Sequence, residues 1–176
     1  MARQLSEQCH AARILPAQHV AKHRSGAKND RNDALAILRA GHDSAIAAVP
    51  VKSAQALALQ ALHRARQGYV RRRTGLGNQI RGLLLEHGIA LAQGNTALVR
   101  GVPRMIDDAS APMPELLRQL LDELLLEWTH LGERIQAMTA RLHSHARQIP
   151  KARQLMSMRG IGPIIATALP FTLFSW

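Results

Sequence analysis

Apolar positions along this chain keep two long helical rhythms. Between Ser53 and His87, Leu59, Leu62, Tyr69, Leu76, Ile80 and Leu83 fall on alternating three- and four-residue steps, with Arg66 and Arg73 at two positions of the same series. That spacing predicts a long helix with a heptad-like seam along one side. Gly88 is a natural stop, because glycine enters the left-handed region without a steric cost. From Glu115 to Gln148 the seam is cleaner: Leu117, Leu121, Leu124, Trp128, Leu131, Ile135, Met138 and Leu142 hold the rhythm throughout. Pro112 and Pro114 suit its entry and Pro150 its end. Each helix would run about 50 Å. Two such stripes pack most simply as an antiparallel coiled-coil hairpin.

The remainder is less regular. Residues 11–15, followed by Pro16, read as a short strand, and residues 17–27 as a loop or a short helix. A helix is predicted from Asp30, its N-cap, to about Ala40, with Ala34, Ile37 and Leu38 on one face and Gly41 ending it. Ile46 to Val51 is extended around Pro50. Residues 89–113, with two prolines and two glycines, read as an irregular connection. The fold class expected is mostly α.

Composition narrows the function. The 176 residues suit one ordinary domain or pieces of two. Apolar residues make up 47%, too many for a disordered basic tail, and aromatics 3%, too few for a stacking-based single-strand binder such as an OB-fold. No apolar run approaches the ~20 residues of a membrane span, and the start has no apolar signal core. A lone cysteine, Cys9, excludes an internal disulfide and a cysteine-based zinc site. The expectation is a cytoplasmic protein with no membrane partner.

Charge adds a partner. The net charge is +11, and residues 1–106 hold 16 basic and 5 acidic residues against 7 and 7 in residues 107–176. Arginine supplies 19 of the 23 basic residues. Its planar fork matches phosphate oxygens, so nucleic acid is the expected polyanion. The run Arg64, Arg66, Arg71, Arg72, Arg73 and Arg81 spreads around the first long helix, so only part of it can face one groove.

Two segments could carry chemistry. In Lys28-Asn29-Asp30-Arg31-Asn32-Asp33, the two aspartates lie three apart and face one side of a helix. They could share Mg2+, which takes hard oxygen ligands, or serve as helix-start carboxylates favoured by the dipole. In Leu155–Ala166, helix, then Gly160-Ile161-Gly162, then helix gives a helix-hairpin-helix pattern. Its glycines let backbone N–H groups approach a phosphate, and a plain tight turn is the alternative.

Together these segments resemble a known family. Lys28-Asn29-Asp30-Arg31-Asn32-Asp33-Ala34-Leu35-Ala36-Ile37, Val49-Pro50-Val51-Lys52-Ser53 and Leu62-His63-Arg64-Ala65-Arg66 are similar to transposases of the IS-one-ten / IS-eleven-eleven insertion-sequence family. So are Arg73-Thr74-Gly75-Leu76-Gly77-Asn78-Gln79-Ile80-Arg81-Gly82-Leu83-Leu84 and Glu86-His87-Gly88-Ile89. The run Gly160–Leu169 resembles the opening of that family's C-terminal domain.

The resemblance implies an RuvC-like (RNase H-like) α/β domain with an Asp-Glu-Asp-Asp metal site, a coiled coil, and a C-terminal domain with a catalytic serine. It implies Mg2+-dependent DNA recombination guided by a structured RNA, carried out by multimers in the bacterial cytoplasm on the nucleoid. Asp30 and Asp33 match the last two carboxylates and would be the catalytic metal ligands. Lys28, Arg31, Arg64, Arg66, Arg71, Arg72, Arg73, Arg81, Gly160 and Gly162 would contact nucleic acid. Residues 1–50 would be an RuvC-like remnant, 51–150 the coiled coil and 151–176 the start of the C-terminal domain. The first Asp, the Glu and the serine have no match here, Arg159 replaces a usual proline, and Pro170–Trp176 departs from the pattern. The expectation is a fragment cut at both ends, with little catalysis of its own. It would be a transposase piece or a catalytically dead, inhibitory nucleic-acid-binding or assembly piece.

Overall fold

The computed structural model describes residues 2–108 and 113–172. Among these, eight α-helices follow one another: α1 (Ala2–Glu7), α2 (Ala17–Lys22), α3 (Asp30–His42), α4 (Ala54–Glu86), α5 (Asn95–Asp107), α6 (Glu115–Gln148), α7 (Pro150–Met156) and α8 (Pro163–Thr172). The protein is mostly helical. No strand forms among the described residues; an isolated antiparallel bridge joins Ile14 to Val49. None of the described helices is long and apolar enough to cross a membrane. Pro112 and residues 173–176 of the tail lie outside the described residues.

The chain divides into two compact units, residues 61–148 and residues 1–60 with 149–176. In the first, Leu76, Ile80 and Leu84 of α4 share a core with Leu98 and Val102 of α5 and with Leu117, Leu121, Trp128 and Leu131 of α6. The pairing of α4 with α6 is antiparallel. Arg66 Nε donates to Thr139 Oγ1 at 2.8 Å, Arg73 lies against Gly132, and Gly77 against Trp128. One step of seven along α4 therefore matches one step of seven back along α6, the spacing at which side chains recur on one helix face.

Part of the irregular connection expected over residues 89–113 is instead a helix. Asn95–Asp107 is helical although Pro103 lies inside it. Leu98 and Val102, both fully buried, hold this helix on α6 and outweigh the local preference of proline.

Capping explains the ends. Ser53 Oγ accepts from Ala56 N at the start of α4. At its other end Gly88 has φ +74°, and Ile89 N donates to Leu84 O while Gly88 N donates to Leu85 O. This is a Schellman closure, and only glycine adopts it without strain. Ile89 then packs on the core beside Leu84.

In the second unit α2 packs on α3, and α7 on α8. The N-cap of α3 is Asn29 rather than Asp30: its side chain accepts from Asn32 N at 2.8 Å. The buried face of α3 is Ala36 and Ala40, whereas Ile37 and Leu38 are 56% and 57% exposed. The small side chains let α2 approach closely, while Ile37 borders the open recess between the two helices. The expected strand at 11–15 reduces to the single bridge at Ile14, because one neighbour cannot build a ladder.

Candidate nucleic-acid interface

Asp30 and Asp33 stand in the first turn of α3, where the helix dipole favours carboxylates. Asp30 is exposed and Asp33 half-buried. Asp33 Oδ1 lies 3.5 Å from Arg24 Nη1, beside an apolar recess between α2 and α3. Lys28 and Arg31 flank the turn and are exposed. Among the described residues no three His, Cys, Asp or Glu side chains converge to hold a metal ion. A divalent cation here would find two carboxylates, one already beside a guanidinium. This donor set does not by itself fit a two-metal centre.

The six arginines of α4 split into two sets. Arg64, Arg71 and Arg72 are exposed, with no carboxylate partner among the described residues. Arg72 lies 5.5 Å from the Tyr69 ring centroid. The other three turn inward. Arg66 holds Thr139. Arg81 donates to Gly77 O at 3.1 Å and to Gly94 O at 2.8 Å, tying α4 to the segment before α5. Arg73 lies over the Trp128 indole, 3.7 Å from its centroid.

Arg73 can lie there because residue 132 is glycine. A Cβ at that position would stand 3.2 Å from Arg73 Cζ and Nε. The Nε is buried and makes no hydrogen bond. Burial lowers the Arg73 pKa from its ordinary value, although a guanidinium keeps its charge at any physiological pH. Nearly three turns earlier on α4, His63 is half-buried. Burial and then the Arg66 charge lower its pKa.

Arg73, Arg81 and Trp128 border a cavity of about 350 Å³, with Thr74, Asn78 and Asn95 at its polar rim. No acidic side chain lines it. The periodicity placed Arg73 and Trp128 on facing seams, but nothing in the spacing signalled their stacking or the part played by Asn78 and Asn95. Those amides border one cavity because α5 packs against the core that α4 and α6 share.

Gly160 and Gly162 occupy the exposed turn between α7 and α8. Gly160 has φ +90°, and Ala166 N donates to Gly162 O. Pro163 opens α8 and lacks an N–H, which removes one donor from any phosphate cradle there.

Exposed arginines without carboxylate partners among the described residues give α4 a basic surface. A family model described as Transposase, of the DEDD type found in IS110-like elements, matches residues 2–89. The chain belongs to this transposase family. It is 38% identical over 169 residues to a probable family 20 transposase of Pseudomonas aeruginosa, covering 96% of this chain and 50% of the relative. It is 32% identical over 169 residues to the transposase for insertion sequence element IS1328 of Yersinia enterocolitica, with the same coverage. It is 29% identical over 156 residues to the transposase for insertion sequence element IS1111A of Coxiella burnetii, covering 89% of this chain and 43% of the relative. The chain thus spans about half the length of the curated relatives it matches. No solved structure matches it.

Proposed function

We propose that this chain serves DNA transposition as the part of an insertion-sequence transposase that grips nucleic acid. The family match over residues 2–89 carries the reading. The excess positive charge of residues 1–106 and the carboxylate-free arginines of α4 support it. The ligands are DNA and a structured guide RNA, in the bacterial cytoplasm on the nucleoid. Arg64, Arg71, Arg72, Lys28 and Arg31 contact phosphates, and Gly160 and Gly162 present a helix-hairpin-helix turn. Residues 1–50 are the RuvC-like remnant, 51–150 a coiled coil that joins copies of the protein, and 151–176 the opening of the C-terminal domain.

Asp30 and Asp33 are the last two carboxylates of an Asp-Glu-Asp-Asp site that takes Mg2+. The pair alone does not complete that site, so the isolated chain binds without cutting. Incubation with supercoiled donor plasmid, guide RNA and Mg2+ tests this. Binding without strand exchange is expected; strand exchange that disappears in Asp30→Ala overturns the inactivity.

A second reading, an assembly fragment that inhibits an intact transposase, draws on the exposed Ile37 and Leu38 of α3. Two bare aliphatic side chains one residue apart on a helix suit a protein partner. Co-purification with an intact family member, lost in the Ile37→Ser/Leu38→Ser protein, would favour it.

A further inference from the structure

The cavity beside Arg73 is built for an anion and is too small for a duplex. Its cations are the guanidiniums of Arg73 and Arg81, and no carboxylate lines it. Arg81 spends its donors on backbone carbonyls. Arg73 spends none, and its Nε is buried without a hydrogen bond. The Trp128 indole Nε1 also borders the cavity. It faces the Gly77 side of the cavity, 3.1 Å from where a Cβ at 77 would sit. A buried guanidinium nitrogen left unpaired is costly, and the same guanidinium borders the cavity, where a ligand anion would meet its charge.

The rim has different chemistry. Asn78 on α4 and Asn95 at the start of α5 are exposed, and each amide offers both donor and acceptor. Base edges need that pairing, whereas inorganic phosphate does not. Arg71, Thr74 and Asn78 follow helical spacing along one face of α4. A strand whose backbone rests on Arg71 therefore passes the cavity mouth. The volume of about 350 Å³ suits a single nucleotide.

We infer that this cavity takes one unpaired nucleotide of a single-stranded nucleic acid, its phosphate on Arg73 and the Trp128 N–H, its base edge on Asn78 and Asn95. The inference rests on the nucleic-acid reading above and gives it an address. Low aromatic content argued against a chain of stacking platforms; a single donor-lined recess needs none.

Fluorescence tests it directly. The chain has two tryptophans, so in a Trp176→Phe background Trp128 is the reporter. The probes are single strands of about ten nucleotides, one of RNA and one of DNA, a duplex of the same sequence, and inorganic phosphate. Gel shifts report binding in parallel. A saturable change at Trp128 with a single strand, and none with the duplex, is expected; comparing the two strands identifies the preferred sugar. Asn78→Ala/Asn95→Ala should weaken single-strand binding relative to duplex binding by about tenfold, the scale of a lost hydrogen-bond set, with an unchanged thermal melt. Shifts with a silent Trp128 overturn the pocket and leave the nucleic-acid reading standing. So does an equal loss of duplex and single-strand binding in the double variant, or a response matched by phosphate alone. Absence of any shift overturns both.

Discussion

At the scale of single residues, Arg73 and Trp128 behave differently although they touch. Trp128 is 2% exposed and belongs to the core of residues 61–148. Arg73 contributes a cation–π contact of about 0.5–2 kcal/mol, against which stands a buried Nε with no partner, costing about 1–3 kcal/mol. The two nearly offset. Arg73→Met should therefore change stability by less than about 1 kcal/mol, since the thioether chain fills the same space. Trp128→Ala should cost about 3–5 kcal/mol through the cavity it leaves. Urea melts of the two variants compare these directly; a large loss for Arg73→Met would mean that the charge itself supports the fold. His63 gives a second residue-scale expectation. Its pKa is lowered in the folded protein by burial and by Arg66, so the unfolded chain binds more protons than the folded one just below the ordinary histidine value of 6.5. Stability then falls as pH drops through about 6.5 towards the lowered folded value and levels off below it. His63→Gln should flatten that part of a melt-versus-pH curve.

At the scale of elements, long periodic segments were legible and context-dependent ones were not. The seam from Leu117 to Leu142 predicts α6 with the observed bounds, because a heptad rhythm through most of a 34-residue segment leaves no competing structure. Gly88 marked the end of α4 for the reason seen in its positive φ. Leu84, fully buried, was outside the series drawn through Leu83, since a straight helix drifts relative to a seven-residue repeat. α5 was missed because Pro103, Gly94 and Gly101 are all local breakers, while what makes it a helix is tertiary: Leu98 and Val102 sealing the core. The same holds for the face of α3, where burial follows the small side chains that α2 can approach. If α5 is held by burial, Leu98→Ala should destabilise residues 61–148 by about 2–5 kcal/mol. An equilibrium melt followed by circular dichroism measures it; a change under about 0.5 kcal/mol, the level of a surface substitution, would return Asn95–Asp107 to the status of a loop. Of the site, the arginine run and the aspartate pair were readable as residue types. Which arginines point outward was not, because that depends on the register with α6, where Arg66 meets Thr139 and Arg73 meets Trp128.

At the scale of the whole molecule, the charge asymmetry becomes a measurable binding term. The excess of +11 lies in residues 1–106, but only side chains free to meet phosphate release counterions. Arg66 and Arg81 are committed to Thr139 and to carbonyls, whereas Arg64, Arg71 and Arg72 are exposed without carboxylate partners among the described residues. Each phosphate neutralised on a duplex contributes about −0.9 to the slope of log affinity against log salt. Arg64→Gln/Arg71→Gln/Arg72→Gln should therefore reduce that slope by up to about 3 units while leaving the core and its melt intact. Asp30→Asn/Asp33→Asn should move the affinity slightly upward with little change in slope, because removing carboxylates from the first turn of α3 creates no new phosphate contact. A salt titration of duplex binding separates the cases. If the triple variant keeps the parent slope, the positive charge that holds nucleic acid lies instead on residues 1–60, around Lys28 and Arg31, and α4 serves the fold and the cavity alone.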